Sequence, residues 1–210
     1  LPLDEMKGIY RSYFARLNAM GVTSVCDMAL SLVPGADGIN PAVYEALLAE
    51  GDLTLRAHLF PTLSEDESNL EGLQARLTGD MLRAPGFKQF FDGVSSQHTA
   101  WVTDEYANPR FAGDVGRPTV APERMRDAAC PHAGAPASSQ SPSLDEAVRQ
   151  AIDIFTEAHR RYGDPHQGAN TMEHVEDIHP EDIARMAAAH VVASVQPPHV
   201  TIDVTQPARD

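Results

Sequence analysis

Cysteine is nearly absent: Cys26 and Cys130 are the two thiols in 210 residues, and they form no CxxC spacing. A chain of this size does not depend on a disulfide framework, so a reduced, cytoplasmic setting is the expectation. Positive charge is also scarce. The 16 Lys and Arg stand against 30 Asp and Glu, a formal net charge of −14. That balance argues against nucleic acid and against anionic membrane as partners, because both recruit clustered cations. No apolar run approaches the roughly 18 residues that cross a bilayer. The opening LPLDEMKG lacks the basic-then-apolar order of a secretory signal. The chain starts with Leu and stops at Asp210 after a strand-like segment, so a piece of a longer protein is expected.

Two kinds of motif are missing as well. No GxGxxG or GxxxxGK[ST] follows an expected strand, which weakens a nucleotide-binding reading. Nine histidines are present, yet none forms HxH or HExxH, so no self-sufficient metal motif exists. Taken singly, a histidine here is more often a surface or helix-end residue than a ligand.

What is present is apolar material for one core: 42% of residues are hydrophobic, enough for one domain or part of one. Met6, Ile9, Tyr10, Tyr13, Phe14, Leu17 and Met20 share a helical stripe, with Gly21 at its C-terminal end. Val22 to Val25 then reads as a short buried parallel strand. Asn40 and Pro41 open a second helix with Val43, Leu47 and Leu48 inward, and Gly51 closes it. Leu53 to Phe60 is the next strand, Glu65 to Leu77 a polar helix, and Phe87 to Phe91 another strand. Ser143 and Glu146 make a capping-box pair before a helix whose inner face is Ala147, Val148, Ala151, Ile152, Phe155 and Ala158. Thr171 to Val175, Pro180 to Ala189 and Val191 to Val195 follow as strand, helix and strand. Such alternation favours a parallel sheet, as a barrel or as an open doubly wound sheet.

Residues 128 to 142, AACPHAGAPASSQSP, interrupt this rhythm. With almost no large apolar residue they read as flexible linker rather than core strand.

Two residues sit where chemistry is expected. His174 lies at the end of the strand in Thr171-Met-Glu-His, and in a βα barrel the carboxyl ends of the strands build the active site. Lys88 interrupts the apolar segment Gly86-Phe-Lys-Gln-Phe-Phe, where a buried amine is costly unless paired or modified. The competing reading is an edge lysine whose head reaches water.

The runs GFKQFFDGVSSQHTAW (86–101) and GDVGRPTVAPERM (113–125) resemble the amidohydrolase superfamily, in the branch of N-substituted formamide deformylases and related amidases. EHVEDIHPEDI (173–183) and VVASVQPPH (191–199) are similar to its later part, and GVTSVCDMA (21–29) matches an early strand less specifically. The resemblance implies an α/β fold, an incomplete (β/α)8 TIM-type barrel of roughly strands two to seven. In the domain reading, 1–210 is one partial barrel with a disrupted stretch at about 128–143. It also implies one or two divalent metals, zinc first among them, and a small-molecule amide substrate whose carbon–nitrogen bond is hydrolysed. Lys88 matches the fourth-strand lysine and His174 the sixth-strand histidine, both metal-side. His199 matches a substrate-side residue near the seventh strand.

Departures from the pattern are equally specific. The first-strand HxH is absent, and the catalytic aspartate of the eighth strand is expected beyond the C-terminus. The fifth-strand histidine falls at Ser141, and a hydroxyl is a weak substitute for imidazole. A shifted reading frame over about 128–143 would account for this; the nucleotide sequence tests it, by restoring or not restoring a His-containing apolar strand. The expectation is a chain inactive by itself, with weak or absent metal and marginal stability, self-associating through unpaired barrel edges. A non-catalytic remnant without metal is the alternative. An unrelated small-molecule-binding α/β protein leaves the two specific blocks unexplained.

Overall fold

The computed structural model describes residues 1–28, 40–63, 68–129, 137–141, 144–165 and 169–197. The chain divides into two compact units, 1–88 and 89–210, where sequence reading treats it as one domain.

The first unit opens on α1 (Leu3–Ala19), followed by β1 (Ser24–Asp27), α2 (Pro41–Glu50), β2 (Arg56–Leu59), α3 (Ser68–Arg76) and β3 (Leu82–Arg83). Its strands form a parallel sheet in the order β1-β2-β3. α1 ends where expected, with Gly21 at φ 83°, but its stripe is buried only at Phe14; Ile9, Tyr13 and Met20 are exposed. Tyr10, Phe14 and Tyr44 meet edge-on or tilted, at ring centroid distances of 5.2 to 6.2 Å. α2 has Pro41 in its first turn and Gly51 in a left-handed C-cap. Val43 and Leu47 point inward as expected, whereas Leu48 is exposed.

β1 lies two residues beyond Val22–Val25, and it is not buried. Its residues alternate between exposed and half-buried, because among the described residues it pairs on one side alone, with β2. β3, two residues long, has too little pattern to be seen in sequence. It is fixed by pairing with Ala57 and His58.

β4 (Gly86–Phe90) is the strand in which the first unit passes into the second. It is followed by a 3-10 turn at Ser95–Gln97, α4 (Pro122–Ala129), β5 (Ala137–Ser141), α5 (Asp145–Tyr162), β6 (Thr171–Glu173), α6 (Pro180–Ala188) and β7 (Val192–Ser194). The second sheet has the order β4-β5-β6-β7. Parallel pairing joins Ser139 to Thr171, and Thr171 through Glu173 to Val192 through Ser194.

The linker expectation for 128–142 is corrected at its described residues, since α4 reaches Ala129 and 137–141 is a strand; 130–136 and 142 lie outside the described residues. A strand needs neighbouring backbone to bond with more than it needs β-branched side chains, and β6 supplies that backbone. α5 behaves as its periodicity requires, with Ala147, Val148, Ala151, Ile152, Phe155 and Ala158 all buried. Its N-cap is Leu144; Ser143 of the expected capping box lies outside the described residues. Among the described residues no helix is long and apolar enough to cross a membrane.

Candidate functional site

Lys88 closes the first unit. Its N–H donates to Pro61 O at 2.8 Å and its carbonyl accepts from Leu63 N at 3.3 Å, so the residue is locked in extended backbone beside Thr62. The residue is 3% exposed. An edge lysine with its head in water is thereby excluded, and the amine is held in low dielectric. Two other polar groups of this unit are committed to each other. Tyr44 Oη donates to Asp27 Oδ2 at 2.6 Å, and burial, followed by this carboxylate, pushes the phenol well above its ordinary range. His58, a histidine on β2, accepts at Nε2 from Arg83 Nε at 2.9 Å. Burial and then the Arg83 and Arg56 charges lower its pKa, which keeps the ring neutral and engaged.

His174 belongs to the second unit and follows β6 directly, at the carboxyl end of the strand as expected. Its N–H donates to Ser194 O at 3.0 Å, continuing the ladder with β7 for one more residue. The chain then turns sharply: His174 has φ 74°, Val175 has φ 48°, and Val175 N donates to Glu173 O at 3.1 Å. A β-branched residue at positive φ is strained, and such strain persists only where surroundings impose it.

The ring of His174 is oriented by Gln196, just beyond β7. Gln196 Nε2 donates to Ser194 O at 3.0 Å and to Glu173 Oε2 at 3.3 Å, so its Oε1 is the atom turned to His174 Nδ1, at 2.7 Å. A carbonyl oxygen there requires the proton on Nδ1. The lone pair is then on Nε2, the tautomer that metal-ligating histidines adopt when a neighbour holds the other nitrogen.

The two sequence blocks of the resemblance, 86–101 and 113–125, meet at a buried pair in the second unit. His98 Nδ1 lies 2.7 Å from Asp114 Oδ2, and Arg110 N donates to the same oxygen at 2.9 Å. The Arg110 amide, and after it His98, hold the Asp114 carboxyl below the usual carboxylate range. The His98 ring stacks on Tyr106 at 4.3 Å, and Tyr106 Oη donates to Ala100 O at 2.7 Å. Gly116, at φ 65°, passes so close to Ala100 that a Cβ there would lie 1.9 Å from its carbonyl oxygen. Asp92, also buried, accepts from Trp101 N at 2.9 Å. Sequence reading assigned none of these a role, since they lie on irregular connections where periodicity carries no signal.

Of the other expected positions, Ser141 ends β5, and His199 lies outside the described residues. Each unit offers one group of the expected kind, a buried amine at Lys88 in the first and an oriented imidazole at His174 in the second, and the HxH pair is not in the sequence.

A search of curated proteins found no match. Two crystal structures of uncharacterized metal-dependent hydrolases resemble the chain. The one from Pyrococcus horikoshii has TM-score 0.73 at 20% identity over 95% of this chain, and the one from Pyrococcus furiosus has 0.68 at 21% over 97%. The chain spans 38% and 40% of their respective lengths. At such identity the likeness establishes the fold, α/β with parallel strands. The sequence model of the amidohydrolase family matches residues 1–209, and the chain belongs to that family.

Proposed function

We propose that the chain is a portion of a metal-dependent hydrolase that cleaves carbon–nitrogen bonds of non-peptide amides, N-substituted formamides among them. Its architecture is read as an incomplete (β/α)8 barrel of roughly strands two to seven. The observation that carries the reading is the ring of His174, held by Gln196 at the carboxyl end of β6 with its proton on Nδ1 and its lone pair on Nε2. By resemblance, Lys88 in the first unit and His174 in the second are each metal-side residues, zinc by preference, and His199 is a substrate-side residue. When bound, such an ion supplies Lewis acidity, polarising a carbonyl and acidifying a water.

The chain's own contribution is positional. Gln196 keeps the proton of His174 on Nδ1, and the sharp turn after Glu173 fixes where the ring stands. Lys88 brings a buried amine, whose charge state or modification answers to its surroundings. Two ligands leave a divalent ion with open positions and weak affinity, so the 210-residue chain is inactive by itself.

N-substituted formamides offered to the chain at saturating Zn2+ should turn over no faster than with Zn2+ alone. Zinc-dependent turnover lost on His174→Asn would contradict inactivity and retain the site. Paramagnetic shifts of the His174 ring by millimolar Co2+ are the expected sign of binding. Their absence would favour the alternative, a remnant of the fold that holds no metal.

A further inference from the structure

At the other ends of β6 and β7 from His174, three side chains converge that the proposed function does not use. We propose that His159, Asp164 and His190 form a second divalent-metal site, with two nitrogen donors and one carboxylate oxygen. His159 lies in the last turn of α5, and Gly163, at φ 75°, turns the chain so that Asp164 comes back alongside it. His190 follows the C-terminus of α6 and precedes β7. The two connections are tied side by side, because Val192 N donates to Asn170 O at 2.9 Å just where β6 and β7 begin.

Both imidazoles address the same carboxylate. His190 Nδ1 is 2.9 Å and 3.1 Å from the two Asp164 oxygens, and His159 Nδ1 is 3.1 Å from Oδ1. One donor atom from each residue lies within 4.8 Å of the other two. Zinc–nitrogen and zinc–oxygen bonds of about 2.0–2.2 Å place tetrahedral ligands roughly 3.3–3.5 Å apart. The nitrogen–oxygen separations therefore need to open by only a few tenths of an ångström, within reach of side-chain rotation, and the two nitrogens already lie within 4.8 Å of each other. The ring centroids are 4.4 Å apart and tilted by 47°, so the imidazoles stand beside each other rather than one excluding the other.

A second observation points to a ligand. His159 Nδ1 is buried and makes no hydrogen bond, although it is near Asp164, because the direction to the oxygen is wrong for an N–H donor. A buried nitrogen without a partner is costly, and a metal ion among the three groups would take its lone pair. A histidine that merely complements the negative end of α5 needs no third group and leaves this nitrogen unexplained. Two imidazoles with one carboxylate suit a borderline ion such as Zn2+ over Mg2+ or Ca2+, which prefer oxygen donors. Such an ion would clip the end of α5 to the start of β7 and leave at least one position open to water or an anion.

The test is Zn2+ competition against a chromophoric chelator, with the whole chain and folded variants compared by circular dichroism. His190→Asn and Asp164→Asn are suitable, since both positions are more than half exposed and Asn tolerates the φ of 54° at His190. Each should weaken the Zn2+ affinity attributable to this site at least tenfold, with His159→Asn doing the same. His174→Asn should leave it unchanged, which separates this site from the proposed catalytic one. Wild-type affinity retained in the folded His190→Asn and His159→Asn chains would overturn the proposal. So would the absence of any binding tighter than that of a lone exposed histidine.

Discussion

Two histidine–aspartate arrangements in the second unit use the same chemical groups to opposite ends. The His98–Asp114 pair is buried, with side-chain exposures of 7% and 2%, and neither residue has a buried side-chain nitrogen or oxygen without a hydrogen-bond partner. His159, Asp164 and His190 are 30%, 57% and 56% exposed, and one buried nitrogen among them is unsatisfied. In both, the carboxyl is held below its usual range, first by the Arg110 amide in one and by His190 in the other. A lowered carboxylate pKa therefore does not by itself mark a functional site. What separates the two is polar satisfaction: the first arrangement ties two loops together, and the second leaves one buried nitrogen without a partner.

The comparison breaks most easily at Gly116. Replacing it with Ala drives a Cβ into the Ala100 carbonyl at a backbone angle that disfavours any side chain. The loss should exceed about 3 kcal/mol in urea denaturation, because neither clash nor strain can be relieved by a rotamer change. Next is His98→Asn, chosen because Asn tolerates the left-handed backbone at φ 52°. It removes the stacked ring and a partner of a buried carboxylate, and about 2–3 kcal/mol is the expected cost.

Asp114→Asn sharpens the contrast through pH. Asp114 has a folded pKa below its unfolded value, so its contribution is present above the unfolded value and is lost as pH falls through the folded one. Wild-type stability should fall through that acid window, and the Asn variant should start lower at neutral pH and lose less on acidification. Equal acid slopes in the two chains would count against the pairing. The smallest effect belongs to His190→Asn, which without metal should leave the unfolding free energy unchanged within error, as a surface pair does. Added Zn2+ should then raise the melting temperature of the wild type more than that of the variant.

α5 was legible in sequence because each of its inward positions recurs at helical spacing, and the fold buries all of them. α1 has the same periodicity but buries only Phe14, since spacing states which face is apolar and not whether anything described covers it. β5 was hidden because Ala, Ser and Gln carry no strand signal, and backbone pairing to β6 decides its state. His174 could be placed at a strand end from sequence, and its surroundings agree. Its orientation depends on Gln196, which lies 22 residues away and is brought near only by β7. His98 and Asp114 fall in sequence blocks that carried the resemblance, yet their pairing is a property of the chain path. His159, Asp164 and His190 match no motif, as turn geometry alone assembles them.

The proposed metal role of His174 has a direct test in the histidine ring resonances of the His190→Asn chain, in which the second site is removed. Titration with Co2+ should shift and broaden the His174 ring signals at millimolar metal and leave those of buried His98 in place. His174 signals that stay unmoved while other exposed histidines respond would contradict the account.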